Sequence, residues 1–274
     1  MESESGFLEV GNANLFYEVA GEGQPIVMIH AGVADSRQWN DEFAQLAQDF
    51  RVLRYDMRGY GRSEPAEGKY TNLNDLRALL DHLGFRQPVV AIGCSMGGTL
   101  AMDLALAEPE RVKALVMVDS GPSGLRLDVP DHPSAAAAEE AYEAGDLDRL
   151  AELEAQIWFD GIERRPEDVD PRMRKLALEM NRLALAHDAR NLGERLADAE
   201  TPAVERLNDV KMPVLVILGE NDVPFMQAAA DLMVQKIPSA RKVVIEDAAH
   251  LPNLEHPEQF EQILRAFLGE VVGR

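Results

Sequence analysis

The sequence contains a single cysteine, Cys94. No disulfide can therefore close within the chain, and no metal centre built on clustered thiolates is available. It also lacks any apolar run of about 18 residues, the length a helix needs to span a membrane. Its opening, MESESGFLEV, has neither the basic nor the apolar region of a secretory leader. Basic residues are scarce: 27 Lys and Arg stand against 48 Asp and Glu, a net charge of −21. That balance favours solubility, repels nucleic acid and anionic membranes, and slows the approach of polyanions. The expectation is a cytoplasmic globular protein without nucleic-acid or membrane partners. Monomer and homodimer both remain open.

What is present alternates between strand and helix. Residues 7–19 form two short alternating runs around Gly11-Asn12, a hairpin pattern. Pro25 to His30 is a continuous apolar run of the kind buried on both faces of a parallel sheet. Its following loop, His30-Ala31-Gly32-Val33, leads to a helix carrying Trp39, Phe43, Leu46 and Ala47. Further strands are expected at 51–55, 88–92, 112–118, 213–218 and 241–245, with helices at 72–83, 225–236 and 258–268. This order predicts an α/β fold, a mostly parallel sheet of about eight strands with right-handed crossovers. Between 122 and 210 the rhythm breaks. The segment is rich in Ala, Glu, Leu and Arg and shows helical spacing at Met173, Leu176, Ala177, Met180, Leu183 and Ala184. Two more helices are expected at 135–142 and 147–158. The predicted organisation is a core of residues 1–121 and 211–274 carrying an all-helical insertion, 122–210. Trp158, Phe159 and Leu251 are candidate pocket residues.

The stretch PVVAIGCSMGGT, residues 88–99, carries the chemistry. Gly93-Cys94-Ser95-Met96-Gly97 is a G-x-S-x-G between an apolar strand and a helix, the nucleophile-elbow pattern. A serine on so tight a turn projects its hydroxyl from the sheet edge, and the residues two before and two after approach each other too closely for a Cβ. As bare text the pattern has roughly a one-in-ten chance of occurring in a chain this long, given glycine near 7% of residues; its strand–helix setting makes it specific. The Met96 N–H and the helix N-terminus fall beside the hydroxyl, where an oxyanion would form.

A serine hydroxyl needs a base, and the base needs a group to orient it. In open parallel sheets such groups gather at the C-terminal ends of strands. Ser95, Asp222 and His250 follow three strands in the chain order that accompanies the elbow. Of the other histidines, His82 lies in a helix, His132 and His187 in the insertion and His256 before the last helix, whereas His30 suits a loop-bracing role. For the acid, Asp119 and Glu220 also follow strands, but Asp222 precedes the strand leading to His250. Gly32 is the candidate for a second oxyanion donor beside Met96, with Val33 an alternative. No cofactor and no metal is called for.

The chain resembles the α/β-hydrolase superfamily, and within it small carboxylesterases and 3-oxoadipate enol-lactonase-like hydrolases. The likeness rests on I-H-A-G at 29–32, D-M-R-G-Y-G-R-S at 56–63, G-C-S-M-G-G at 93–98, G-E-N-D at 219–222 and A-A-H-L-P-N-L-E-H-P at 248–257. It implies the triad Ser95, Asp222 and His250, an oxyanion hole from Gly32 and Met96, and a cap over residues 122–210. Ala31 departs from the glycine usual after the histidine. The implied activity is hydrolysis of a small, largely neutral carboxylic ester or lactone through an acyl-enzyme. Carbon–carbon-bond hydrolysis and cofactor-free perhydrolysis are alternatives using the same triad, and a non-catalytic small-molecule receptor is a third. Dehalogenase and epoxide hydrolase chemistry would need an aspartate at position 95.

Overall fold

The computed structural model describes residues 3–273; Met1, Glu2 and Arg274, the outer ends of the expected core, lie outside the described residues. Eight strands form one sheet. They are β1 (Ser3–Val10), β2 (Ala13–Ala20), β3 (Pro25–Ile29), β4 (Arg51–Tyr55), β5 (Val89–Cys94), β6 (Val112–Val118), β7 (Val214–Gly219) and β8 (Ala240–Ile245). Their order across the sheet is β1-β2-β4-β3-β5-β6-β7-β8. The hairpin is antiparallel and β2 runs antiparallel to β4, whereas every other pair is parallel. The strand order reverses at β3, between β4 on one side and β5 on the other. That is the switch point at which α/β sheets leave a crevice outside their strand ends.

Helices cover both faces: α1 (Asn40–Leu46), α2 (Asn72–His82), α3 (Met96–Ala107), α7 (Pro224–Lys236) and α9 (Pro257–Val272), with the short α8 (Pro252–Glu255) before the last. Alternate strand residues point to opposite faces, so β3 sends Ile26 and Met28 to one core and Val27 and Ile29 to the other. The first of these cores holds Trp39, Phe43 and Leu46 of α1 with Phe260, Leu264, Phe267 and Leu268 of α9. The second holds the leucines of α2, the Leu100–Leu106 face of α3, and Met226 and Met233 of α7. Each such fully buried side chain contributes roughly 1.5–3 kcal/mol of transfer free energy.

Between β6 and β7 lie α4 (Ala135–Ala144), α5 (Leu147–Ala155) and α6 (Pro171–Asp188). The helix expected at 147–158 ends early, because Gln156–Asp160 widens into a single π turn closed by Gly161. The segment is not purely helical: Glu194–Arg195 pairs in parallel with Lys69–Tyr70 of the core. Among the described residues no helix is long and apolar enough to cross a membrane.

A buried polar knot fastens the loop after β3 to α8. The Gln38 side-chain carbonyl accepts from the Ala31 N–H at 2.9 Å, and the Asn253 amide donates to the Gln38 backbone carbonyl at 2.8 Å and to Glu42 Oε2 at 3.3 Å. Burial pushes the Glu42 carboxyl up to about 8, so it is protonated at neutral pH. A raised carboxyl contributes stability that is fully present below its unfolded value of 4.5 and is lost as pH rises through about 8. Glu42→Gln mimics the neutral acid. Its melting temperature relative to wild type is expected to climb with pH, by at least about 2 °C between about pH 5 and about pH 8. Thermal denaturation of both proteins across that range measures it, and a pH-independent difference would refute the assignment.

Candidate active site

Ser95 sits between β5 and α3 at φ 51° and ψ −118°, a conformation rarely adopted by a residue with a side chain. Packing leaves the turn no other shape. A Cβ on Gly93 would lie 2.3 Å from the Gly97 carbonyl group, and one on Gly97 would lie 2.3 Å from the Ile29 carbonyl oxygen of β3. A Cβ on Gly98 would meet the Ser120 hydroxyl at 2.4 Å. That hydroxyl donates to the Ser95 carbonyl at 2.7 Å, and the Ser95 N–H donates to Val118 of β6 at 2.9 Å. The strained residue is thereby fixed from both sides. Helix α3 starts at Met96, so the Met96 N–H is one of the orphan donors of a helix N-terminus.

Gly32 and Met96 are neighbours in space. A Cβ on Gly32 would lie 3.7 Å from the Met96 methyl carbon. The loop carrying Gly32 is braced by His30, whose Nδ1–H donates to the Ala31 carbonyl at 2.7 Å while Nε2 accepts from the Met57 N–H at 3.0 Å. Burial holds the His30 ring below its ordinary value, which keeps it neutral and suits this donor–acceptor pairing.

His250 and Asp222 meet at the ends of β8 and β7. Nδ1 of the imidazole lies 2.7 Å from Asp222 Oδ2, and both residues are almost fully buried. Asp222 Oδ1 accepts from the Val223 N–H at 2.7 Å, which fixes the carboxylate plane. Asp119, the rival acid, is not bonded to the imidazole. Its Oδ1 accepts from the Gly219 N–H at 2.8 Å, while the buried Oδ2 has no hydrogen-bond partner among the described residues. Burial, and then the neighbouring Asp222, push the Asp119 carboxyl well above the ordinary carboxylate range. Ionising Asp119 is disfavoured in this setting, and it is Asp222 that meets the imidazole. Asp119, Asp222 and His250 each offer an atom within 4.8 Å of the others, a spacing that would suit a cation. Within this cluster His250 Nδ1 and Asp222 Oδ2 are engaged with each other.

The His250 loop reaches the elbow through Cys94, whose thiol lies 3.5 Å from the His250 carbonyl oxygen. Among the described residues no hydrogen bond joins the Ser95 hydroxyl to the imidazole, a contact that commonly tightens only when substrate binds. From the other side the π turn supports the same loop. The Trp158 carbonyl accepts from the His250 N–H at 3.1 Å, and its indole stacks at a tilt on the imidazole with centroids 4.6 Å apart. Arg164 extends the clamp by donating to Glu255 Oε2 at 2.7 Å and to the Asp247 carbonyl at 2.6 Å.

Of the three candidate pocket residues, Trp158 is thus at the site. Phe159 and Leu251 are buried in the core shared with Trp39 and Phe260. Other residues at this rim carried less sequence signal. Tyr60 lies in the glycine-punctuated loop after β4, and its hydroxyl is 3.8 Å from where a Gly32 Cβ would be. Arg195 touches the Met96 sulfur at 2.9 Å. Its place depends on the pairing of 194–195 with 69–70, for which the local sequence has no signature.

Residues 24–257 match the family model described as the alpha/beta hydrolase fold. The chain is 30% identical over 254 residues to a pimeloyl-[acyl-carrier protein] methyl ester esterase of Aeromonas hydrophila, an alignment spanning 91% of this chain and 97% of that one. It is similar to the enol-lactonase of Burkholderia xenovorans, with TM-score 0.77 and 25% identity over 96% of this chain and 99% of that one. It is also similar to a solved N-acyl homoserine lactone degrading enzyme, with TM-score 0.76 and 28% identity over 96% of this chain and all of that one. A match across most of its length places the chain in the alpha/beta hydrolase fold family.

Proposed function

We propose that the protein is a serine hydrolase of small carboxylic esters or lactones, with Ser95, His250 and Asp222 as its triad. The observation that carries this reading is the buried His250–Asp222 hydrogen bond of 2.7 Å on the loop that borders the strained Ser95 turn. The Ser95 hydroxyl attacks the carbonyl carbon. His250 takes the hydroxyl proton on Nε2 and returns it to the leaving alkoxide, and Asp222 holds Nδ1–H and stabilises the imidazolium. The N–H groups of Gly32 and Met96 receive the developing oxyanion, aided by the N-terminus of α3. Water, deprotonated by the same imidazole, then attacks the acyl-enzyme and releases the acid. Residues 122–210 act as the cap, bearing on the base through Trp158.

Esterase and lactonase relatives with full-length overlap support this substrate class. Ser95→Ala should lower kcat/KM for p-nitrophenyl esters at least about a thousandfold and abolish labelling by a fluorophosphonate at the peptide carrying residue 95. Retained ester turnover would refute the mechanism. Running vinylogous diketones and peracid formation beside the esters separates carbon–carbon-bond hydrolysis and perhydrolysis from ester cleavage.

The two acids at the site should behave differently. Asp222→Asn removes the charge facing the imidazole and should cost about a thousandfold or more in kcat. Asp119 makes no bond to the imidazole, and an asparagine oxygen can still accept from the Gly219 N–H, so Asp119→Asn should leave kcat/KM within about threefold of wild type. Equal losses in steady-state assays of the two variants would refute this division of roles.

A further inference from the structure

A cavity of about 270 Å³ opens beside the Gly32 loop. Its walls include Arg58, Tyr60, Tyr70, Asn72, His187 and Arg195, an unusual concentration of hydrogen-bond donors for a chain of net charge −21. Two of these residues also approach Gly32 and the Met96 side chain. The Tyr60 hydroxyl lies 3.8 Å from the position of a Gly32 Cβ, and Arg195 Nη1 lies 2.9 Å from Met96 Sδ.

Most of the other polar groups here are already committed. Arg58 makes a two-pronged bond to Asp75, at 3.0 and 2.8 Å, and His187 Nδ1–H donates to the Gly59 carbonyl at 3.2 Å. Asp188, the acid bordering the cavity, faces the Tyr142 hydroxyl at 3.4 Å. Arg195 differs. One edge forms an ion pair of 3.3 Å with Asp198, whose other oxygen is taken by the Leu73 N–H, and among the described residues Nη1 meets only a thioether, a weak acceptor. The hydroxyls of Tyr60 and Tyr70 form no hydrogen bond among the described residues. Burial pushes the Tyr60 hydroxyl up to about 12, so it remains a donor.

Arg195 is also held in place. The flanking N–H groups of Glu194 and Leu196 donate to the carbonyls of Gly68 and Tyr70, both at 2.8 Å. Gly193 turns at φ +80° into this pairing, where a Cβ would fall 2.5 Å from the Ala66 carbonyl oxygen. A guanidinium on an anchored backbone, with one edge unspent, can bind a carboxylate with two parallel bonds.

We propose that Arg195, with the hydroxyls of Tyr60 and Tyr70, forms a carboxylate-binding subsite next to the oxyanion hole, so that the preferred ester or lactone carries a free carboxylate on one arm. This replaces the largely neutral substrate expected from net charge, and it rests on the reading of Ser95 as nucleophile. The test measures two things on wild type, Arg195→Gln and Arg195→Lys. The first is the ratio of kcat/KM for monomethyl glutarate, adipate and suberate, and for 4-acetoxybutyrate, over that for the same compounds with the free acid methylated. The second is calorimetric binding of glutarate, adipate and suberate themselves. The wild type should favour the acids, and R195Q should lower both the ratio and the dicarboxylate affinity at least about tenfold, with R195K, which keeps the charge, falling less. Dicarboxylate binding that depends on Arg195 in a protein turning over no ester would uphold the subsite and sink the nucleophile reading. Ester turnover with a ratio and a dicarboxylate affinity indifferent to R195Q would sink the subsite alone.

Discussion

The whole site hangs on a contact between backbones. β5 turns into α3 so close to β3 and to its own helix that Gly93, Gly97 and Gly98 have no space for a single added carbon. Ser95 absorbs the resulting strain, of order 1–3 kcal/mol for such a conformation. Hydrogen bonds to Val118, Ser120 and Thr99 from strands and helix already locked in the core offset it. The hydroxyl therefore inherits its position from the most rigid part of the molecule, and the orphan N–H groups at the start of α3 come to the same place without further construction. A nucleophile placed by a mobile loop would have to be ordered anew in each encounter with substrate.

The opposite half of the site is built differently. His250 and Asp222 stand on loops, and it is the segment between β6 and β7 that stiffens them. Trp158 takes up the His250 N–H, Ile162 donates to the Asn221 carbonyl at 3.0 Å, and Arg164 spans to Glu255. The π turn at 156–160 makes this geometry possible, because widening the helix by one residue swings the Trp158 carbonyl toward the histidine loop. Burial does the rest by dividing labour between two neighbouring carboxyls. Burial raises the Asp119 carboxyl well above the ordinary carboxylate range, and Asp222 is the one that bonds the imidazole.

Features that follow from local pattern were legible before any coordinates. The apolar runs of β3, β5 and β7, the helix periodicities, and the G-x-S-x-G turn each carry their own cause in adjacent residues. The positions of Asp222 and His250 followed from strand ends, and their hydrogen bond is present. What escaped depends on contacts between distant segments. Phe159 and Leu251 have the composition of pocket residues but pack into the core, because an apolar side chain does not announce which side of a wall it occupies. The two-residue pairing of 194–195 with 69–70 is too short to leave a periodicity, and so the arginine it delivers to the rim had no sequence signature.

Net charge does not by itself decide what a site accepts. A charge of −21 spread over a surface acts on an approaching substrate through a field that salt screens within about 8 Å. It alters encounter rates, whereas discrimination inside a site is decided by the few donors and acceptors that lose water there. An acidic protein that must accept an anion needs a cation held where the field of its own surface cannot neutralise it. Anchoring that cation by backbone pairing leaves one edge of the side chain unspent, where a long chain free to fold back onto the many surface carboxylates would have none. Arg195 is placed in this way, between backbone bonds from its two neighbours to the 69–70 strand, with Asp198 on one edge of its guanidinium and the Met96 sulfur on the other.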